Sequence, residues 1–296
     1  MKLNRRKFIQ AIGALSGALA VKMSGLEVLA STQPPVIWIQ GQSCTGCSVS
    51  LLNSITEMSI DELLLNVIDL EFHPTVMASA GSVASSHVEG VAAAGGYVLI
   101  VEGAVPVGEA GDFCHVWENT TMMDAVTRLV PAANAVISVG TCASFGGIPA
   151  ANPNPTNALG MKDAMNYLGV SNSTVINLPG CPAHPDWVVG TVAALLSGAV
   201  PALDRHSRPR MFYGDLVHSN CPNRGSKFRA RALGDPGCMA NIGCKGQRTG
   251  ADCPIRQWNA AENGGTGVNW CIGARTPCQG CTEPDFPDGK SPFYSL

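Results

Sequence analysis

The sequence predicts an α/β protein in which a parallel β-sheet, covered by helices on both faces, is followed by a smaller irregular region. Two observations predict this fold. From Val36 to about Ser197, short apolar runs alternate with helix-like segments, which is typical of a parallel sheet with helical connections. After Pro201, cysteines, glycines and prolines crowd together, and neither a helical nor a strand period is sustained. We therefore expect a second domain that is held together by something other than a sheet.

Five β-branched or apolar runs have the length of buried strands. They are Val36–Gln40, Val67–Phe72, Tyr97–Val101, Ala135–Val139 and Thr174–Leu178. Five helix-like segments lie between or after them: Val49–Ile55, His87–Ala94, Met122–Val130, Ala158–Leu168 and Asp186–Leu196. The predicted domains are residues 31–200, which contain these elements, and residues 201–296.

Residues 1–30 have the features of an export signal. A charged start with Arg5 and Arg6 precedes a short, weakly apolar stretch and a small-residue site, where cleavage is expected after Ala30. An arginine pair beside so mild an apolar stretch favours the twin-arginine type over an ordinary secretory signal or a basic membrane anchor. The stretch is shorter than the ~20 residues that span a bilayer, and no later segment is predicted to cross one. We expect a periplasmic protein whose mature form has no transmembrane segment.

The composition favours a folded protein with part of its surface covered by a partner. Of the 296 residues, 46% are hydrophobic and only 14% are charged, against about 25% in a typical globular chain. There are 19 Lys and Arg and 22 Asp and Glu. Five of the basic residues and one acidic residue lie in the first thirty, so the remainder has a net charge of −7. Nucleic-acid-binding proteins usually have the opposite balance, and we expect no nucleic-acid partner.

Four of the twelve cysteines follow predicted strands. Cys44 and Cys47 come just after the first strand, Cys142 after the fourth and Cys181 after the fifth. Since the carboxyl ends of parallel strands meet at one edge of a sheet, we expect these thiols to converge there. A glycine lies close before each, and helices are expected to begin just beyond Cys47 and Cys181, where their N–H groups can face an anion. Four converging thiolates are the ligand set of a 4Fe–4S cluster.

Other interpretations of these cysteines explain less. A Cys-x-x-Cys pair after a strand is typical of thioredoxin-like redox sites, but it leaves Cys142 and Cys181 without a role. Zinc favours small knuckles over ligands gathered from separate loops. An exported binding protein held together by disulfides or zinc is the rival of a different functional class. The twin-arginine signal argues against that rival, because this route carries folded proteins loaded with cofactors.

The C-terminal region supplies eight further potential ligands. Seven are cysteines, and His218 lies three residues before Cys221, which is a metal-ligand spacing. In chain order they divide into two sets of four. These sets are His218, Cys221, Cys238 and Cys244, and then Cys253, Cys271, Cys278 and Cys281. The sequence therefore predicts three 4Fe–4S clusters, and Cys114 is left over as a small buried residue.

At these residues the chain resembles the small subunit of nickel–iron hydrogenases over essentially its whole length. The motifs that carry the resemblance are Cys-Thr-Gly-Cys at 44–47, Gly-Thr-Cys at 140–142, Pro-Gly-Cys-Pro at 179–182, Val-His-Ser-Asn-Cys-Pro at 217–222, Gly-Cys-Lys-Gly at 243–246 and Cys-Gln-Gly-Cys-Thr-Glu-Pro at 278–284. The resemblance implies a flavodoxin-like first domain with a proximal cluster on the four N-terminal cysteines. It also implies a distal cluster on His218 and the three cysteines that follow, and a medial cluster on Cys253, Cys278 and Cys281.

Cys271 departs from the commonest pattern of that family, in which a proline stands at this position and the medial cluster is 3Fe–4S. A fourth thiolate lets a fourth iron bind, so we expect a medial 4Fe–4S cluster. This ligand, together with Ser48-Val49-Ser50 where many members have Ser-Glu-Ser, resembles the subclass related to selenium-containing nickel–iron hydrogenases.

The resemblance also implies a division of work between two subunits. The family's nickel–iron centre, which cleaves H2, lies on a large subunit. This chain would then relay electrons between that heterodimeric partner and an external carrier such as a c-type cytochrome. No catalytic residue is expected on this chain, and peripheral membrane association would come through the partner. An electron-transfer subunit of a related respiratory complex is the alternative of the same type; such subunits lack the ligand set from His218 to Cys281.

The remaining polar residues have simpler explanations. Five histidines are expected to be structural, although the fourth lies near Cys181: His73, His87, His115, His184 and His206. A basic run is interpreted as a solvated face that can dock a carrier: Arg224, Lys227, Arg229 and Arg231. Glu71 and Glu102 come at strand ends and are candidates for facing the large subunit.

Overall fold

The computed structural model describes residues 33–54, 58–260 and 267–294, and at its centre is a five-stranded parallel sheet. The strands, numbered β1 to β5 in chain order, are Pro35–Gln40, Asp69–Phe72, Val98–Glu102, Ala135–Val139 and Val175–Leu178. Their spatial order is β2-β1-β3-β4-β5, and every neighbouring pair is parallel. This is the flavodoxin-like strand order, so the predicted fold class is confirmed.

Six α-helices of six or more residues accompany the sheet within the described ranges. They are α1 Gly46–Leu52, α2 Gly81–Ala94, α3 Met122–Ala132, α4 Gly140–Phe145, α5 Met161–Leu168 and α6 Pro185–Leu196. Local sequence sets several of their ends. Helix α3 begins with a capping box between Thr121 and Asp124, α5 ends at Gly169 in the left-handed conformation, and α6 has a proline in its first turn.

Both faces of the sheet are buried, as the apolar strands predict. On one face Trp38, Ile100 and Ile137 pack in a core that includes α6. On the other face Ile39 and Leu99 pack in a core that includes α2, α3 and α5. The strands are therefore apolar at nearly every position rather than at every second one, as expected for a sheet covered on both sides.

Several element boundaries differ from the sequence prediction, each for a local reason. The second strand starts at Asp69 rather than Val67, because Leu63–Val67 forms a π-helical turn. Ala158–Leu159 is not helical, since it pairs antiparallel with Val105–Pro106, and α5 begins only after Gly160. A side chain at Gly160 would lie 2.7 Å from the Ser144 carbonyl oxygen, so this glycine lets the chain pass close to α4.

Helix α2 begins six residues before the predicted start at His87, in a segment of small residues that gives little periodic signal. Helix α1 begins at Gly46 rather than Val49 and ends at Leu52; the predicted end at Ile55 lies outside the described residues. The short helix α4 was not predicted at all. These differences bring two cysteines, Cys47 and Cys142, into first helical turns.

Beyond α6 the described residues form short elements only. They are helical turns at Arg210–Tyr213, Met239–Ile242, Gly246–Arg248, Cys253–Arg256 and Asp288–Lys290, and a strand pair, Trp258–Ala260 with Gly267–Asn269. Phe212, Met239 and Trp270 from this region share a core with the sheet. The domain boundary at residue 200 stays a prediction, and the predicted export signal lies outside the described residues. In the described ranges, no helix combines the length and apolarity needed to cross a membrane.

Candidate metal centres

The four N-terminal cysteines lie together at the carboxyl edge of the sheet. Burial is the main reason that the pKa of the Cys47 thiol is raised, and the charges of Glu102, Cys142 and Cys181 add to it. Burial also raises the pKa of Cys142 to about 11, with contributions from Cys181 and Cys44. These thiols are thus close enough to one another for the charge of one to act on the pKa of another. We call this group, Cys44, Cys47, Cys142 and Cys181, the proximal site.

Glycines leave the space that these sulfurs occupy. Gly140 directly follows β4 and has a φ of +85°. A Cβ at this position would lie 2.5 Å from the Cys47 sulfur. A Cβ at Gly46 would lie 3.0 Å from the Cys44 sulfur. The backbone therefore comes up to the sulfur atoms themselves, as a site for a bulky, thiolate-bound group requires. The donor set and this close approach fit an iron–sulfur cluster.

Backbone N–H groups also face the proximal site. Cys47 lies in the first turn of α1, and the Ala183 N–H donates to its sulfur at 3.4 Å. The expectation that a helix begins just beyond Cys47 was therefore wrong by about one turn, because Thr45 adopts the left-handed conformation and lets the helix start at Gly46. Beyond Cys181, α6 begins at Pro185, as expected.

Glu102 is the residue at this edge whose position the sequence prediction did not anticipate. It ends β3 and was expected to face a partner, but only 1% of its surface is exposed. Its carboxylate accepts hydrogen bonds from Trp38 Nε1, Gln40 Nε2, Ser43 Oγ, Cys47 N and Ser48 Oγ. A polar residue at the carboxyl end of a central parallel strand is the signal that could have identified it.

The candidate ligands His218, Cys221, Cys238 and Cys244, here called the distal site, line a single open cavity. Burial, together with the neighbouring Cys244 and Cys238, raises the pKa of the Cys221 thiol. The exposed Arg229 donates from Nη1 to the Cys238 sulfur at 2.9 Å. One imidazole and three thiols thus surround a space that opens toward solvent.

The remaining four ligands, Cys253, Cys271, Cys278 and Cys281, form the medial site. Burial raises the pKa of the Cys278 thiol to about 12, and Cys244 and Cys271 add to the effect. The pKa of the Cys253 thiol is raised well above its usual value, first by burial and then by the other three thiols. Cys271 is the most exposed of the four, yet its thiol acts on the pKa of Cys253, Cys278 and Cys281.

The medial site touches both others. Cys181 of the proximal site lies close enough to act on the pKa of the Cys281 thiol, and the Thr141 hydroxyl donates to the Cys281 carbonyl. On the opposite side, the Lys245 N–H donates to the Cys278 carbonyl at 2.7 Å, next to Cys244 of the distal site. The three sites therefore follow one another in the order proximal, medial, distal.

Helix α6 fixes the medial site to the sheet. Arg256 Nη1 lies 3.2 Å from Asp186 Oδ2, and Trp187 Nε1 donates to Asp252 Oδ1 at 2.8 Å. The side chain of His184 accepts from the Asp186 N–H and donates from Nε2 to the Gln257 carbonyl, so it braces the backbone, in line with the structural role expected of it. These contacts hold the helical turn that begins at Cys253.

All twelve thiols are unbridged, including Cys114, which is half-buried rather than fully buried and packs against the core that includes α2 and α3. Across the residues that the structure describes, no three His, Cys, Asp or Glu side chains gather tightly enough to hold a single metal ion.

Two family models match different parts of the chain. The model of the NADH ubiquinone oxidoreductase 20 kDa subunit family matches residues 44–195. The model of the C-terminal part of the NiFe/NiFeSe hydrogenase small subunit matches residues 213–294. The first model represents the type of protein that the sequence left as an alternative, an electron-transfer subunit of a respiratory complex. The second model matches the C-terminal region, which was expected to distinguish a hydrogenase small subunit from that alternative. Fold and site thus define a subunit of an oxidoreductase.

Relatives along the whole chain make the assignment specific. The periplasmic [NiFeSe] hydrogenase small subunit of Desulfomicrobium baculatum is 44% identical over 99% of both chains. The periplasmic [NiFe] hydrogenase small subunit 1 of Nitratidesulfovibrio vulgaris is 39% identical over 99% of this chain and 93% of that one. A crystal structure of the D. baculatum [NiFeSe] hydrogenase superimposes with a TM-score of 0.83 and 44% identity, covering 90% of this chain and 100% of the other. The chain belongs to the NiFe/NiFeSe hydrogenase small subunit family.

Proposed function

We propose that this chain is the electron-relay subunit of a periplasmic, heterodimeric nickel–iron or nickel–iron–selenium hydrogenase. It would hold three 4Fe–4S clusters on its proximal, medial and distal sites, while the nickel–iron centre lies on a large subunit. When bound, such clusters supply one-electron carriers whose potentials are tuned by charge, hydrogen bonds and solvent exposure. The chain's own part is to hold them in sequence and to set those three influences.

The succession of the three sites is the observation that carries this proposal. Cys281 lies near Cys181 on one side, and on the other side the Lys245 N–H, next to Cys244, donates to the Cys278 carbonyl. A continuous series of thiols therefore leads from the carboxyl edge of the sheet to the open distal cavity. An arrangement of this kind suits the passage of electrons and has no evident use in a protein that only binds a ligand.

The distal site supports an external redox protein as the carrier. Its cavity opens to solvent, and exposed Arg224 lines it while Arg229 contacts Cys238. Basic side chains around an exit site favour a partner with an acidic or heme-carboxylate surface. A c-type cytochrome of the periplasm is the carrier that we propose.

The division into domains and the export route complete the proposal. Residues 31–200 would form the sheet domain and residues 201–296 the cluster domain. Arg5 and Arg6 would direct export of the folded, cluster-loaded protein, and membrane association would come through the partner. The two periplasmic relatives support this location for the chain.

Cys271 gives the sharpest test of the cluster composition. With four thiols, the medial site should bind four irons, so an oxidised, anaerobically purified heterodimer should lack the EPR signal of a three-iron cluster. Cys271→Pro removes the fourth ligand and should produce that signal. Cys114→Ser, which changes a thiol outside the three sites, is the matched control and should leave the spectrum unchanged. A three-iron signal of full intensity in the unaltered protein would refute the medial 4Fe–4S assignment.

A further inference from the structure

Glu102 carries a buried negative charge whose role the ligand sets do not explain. It has 1% of its surface exposed, and within the described ranges it makes no salt bridge. Trp38 Nε1 and the Cys47 N–H can only donate, so the carboxylate must accept from them. Three more neutral donors complete its shell, which suits the ionised form. An isolated carboxylate at this depth would be costly, and this one is retained by five donors.

The position of Glu102 coincides with the topological switch point of the sheet. Strand β1 lies between β2 and β3, so the chain leaves β1 and β3 toward opposite sides. Ligands of open α/β sheets bind in the crevice at the carboxyl ends of such strands. Gln40 ends β1 and Glu102 ends β3, where the two residues are register partners, and the segment from Cys44 to Cys47 follows shortly after β1.

The carboxylate is joined directly to that cysteine segment. Its Oε1 accepts from Ser43 Oγ and from the Cys47 N–H, both at 3.0 Å. Its Oε2 accepts from Ser48 Oγ at 2.5 Å. The residues immediately before Cys44 and after Cys47 are therefore tied to one anion, which fixes the position of both sulfur ligands.

The field of this anion reaches the sulfur atoms. Its Oε1 accepts from the Cys47 N–H, so the carboxylate contacts the backbone of a residue whose sulfur belongs to the proximal site. A negative charge added at that sulfur is disfavoured beside an existing one. Glu102 and Cys47 are both buried, so the interaction between them is screened less than at the surface.

We propose that Glu102 is a positioning residue of the proximal site whose fixed negative charge lowers the reduction potential of the cluster held there. The inference rests on the proposed function, because it requires a cluster on these four thiols. Reduction adds one electron, and hence one negative charge, beside a carboxylate that the protein cannot move. The oxidised form of the cluster is favoured as a result, so an electron on the proximal cluster passes more readily to the next site.

Potentiometric titration of the intact heterodimer, followed by the EPR signal of the proximal cluster, tests this role. Glu102→Gln keeps the shape but removes the charge, and should raise the potential. At a fixed applied potential the reduced-to-oxidised ratio should increase at least tenfold, which is 59 mV for one electron. Glu102→Asp keeps the charge and should stay near the wild-type potential. Glu89→Gln, at an exposed residue paired with Arg128, is the control and should not shift it.

An unchanged proximal potential in Glu102→Gln, with the cluster retained, overturns the inference. If that variant does not retain the cluster, Trp38→Phe decides. This variant removes one hydrogen-bond donor to the carboxylate and leaves the anion and the cysteine segment in place. The negative charge is then less compensated, so the reduction potential of the proximal cluster should fall. An unchanged or a higher potential overturns the inference. Absence of any proximal EPR signal from the unaltered heterodimer would instead refute the proposed function itself.

Discussion

At the scale of single residues, the proximal site depends on positions that have no side chain as much as on the cysteines themselves. Gly140 combines a left-handed backbone with a position directly against the Cys47 sulfur. Either property alone favours glycine, and together they exclude every residue with a Cβ. The Gly-Thr-Cys motif is thus explained by the space that the sulfur needs, independently of any resemblance.

Gly140→Ala should therefore deplete the proximal cluster. Its new Cβ would lie 2.5 Å from the Cys47 sulfur, so that ligand must move. Gly169→Ala is the matched control, since Gly169 also has a positive φ but has open space around it; it should cost about 1 kcal/mol of stability and keep its iron. Iron and acid-labile sulfide content of both variants checks this. Full cluster content in Gly140→Ala would contradict the steric argument.

His73 makes a second prediction at this scale. Burial lowers the pKa of His73 to about 4 from 6.5, and its Nδ1 accepts from the Thr75 N–H while Nε2 faces Ser48 Oγ. Between pH 6.5 and 4 the unfolded chain binds a proton that the folded chain does not. Stability should therefore fall as the pH is lowered through this range, by at most about 3 kcal/mol for this residue.

The comparison of His73→Gln with His87→Gln measures that contribution. His73→Gln removes the buried titratable group, so the urea midpoint of the heterodimer should depend less on pH between 6.5 and 4 than in the wild type. The exposed His87, which pairs with Glu71, should have a smaller effect when replaced. Equal pH dependence in wild type and His73→Gln would show that His73 is not held neutral by the fold.

At the scale of elements, the sequence predicted what depends on local pattern. All five strands were found, because strands buried on both faces are continuous apolar runs with Gly or Asn near their ends. Helix α4 was missed because six residues, Gly140–Phe145, give no full period. Helix α2 was predicted too short because its first turns are built from Gly, Ser and Ala, and their packing is decided by distant parts of the chain.

The candidate sites likewise divide into features that the local sequence predicts and features that depend on tertiary contacts. The four cysteines at strand ends could be identified from the sequence, and their thiols lie near one another in the structure. The role of Glu102 could not be identified from the sequence. Its five hydrogen-bond donors come from residues 38–48, more than fifty positions earlier, and they meet the carboxylate only because β1 pairs with β3. The link between Cys181 and Cys281 likewise arises from tertiary contact.

The elements beyond α6 are too short to be stable by themselves, and this predicts their response to metal removal. Turns of three or four residues bury little surface, so cluster–ligand bonds should supply much of the folding free energy there. Anaerobic chelation of iron should increase hydrogen exchange in residues 213–294 far more than in β1, β3 and β4, whose backbone is paired within the sheet. Uniform protection across both regions after iron loss would contradict this view.

At the scale of the whole molecule, the sheet and the C-terminal region act as one frame. A single core runs from Trp38 and Ile137 in the sheet through α6 to Trp270 and Ile272. The buried Asp186 pairs with the half-buried Arg256 across the two parts. A rigid frame of this kind keeps the three sites at fixed separations, which a relay of electrons needs more than a binding protein does.

The proposed function requires that twelve side chains of one chain hold three iron–sulfur clusters. Acid-labile sulfide, measured in the anaerobically purified heterodimer and expressed per copy of this chain, tests it most directly, because the partner's nickel–iron centre is not expected to contribute inorganic sulfide. Three four-sulfide clusters predict about twelve sulfides per chain. A correctly folded heterodimer with about eight would remove one site, and one with none would contradict the account as a whole.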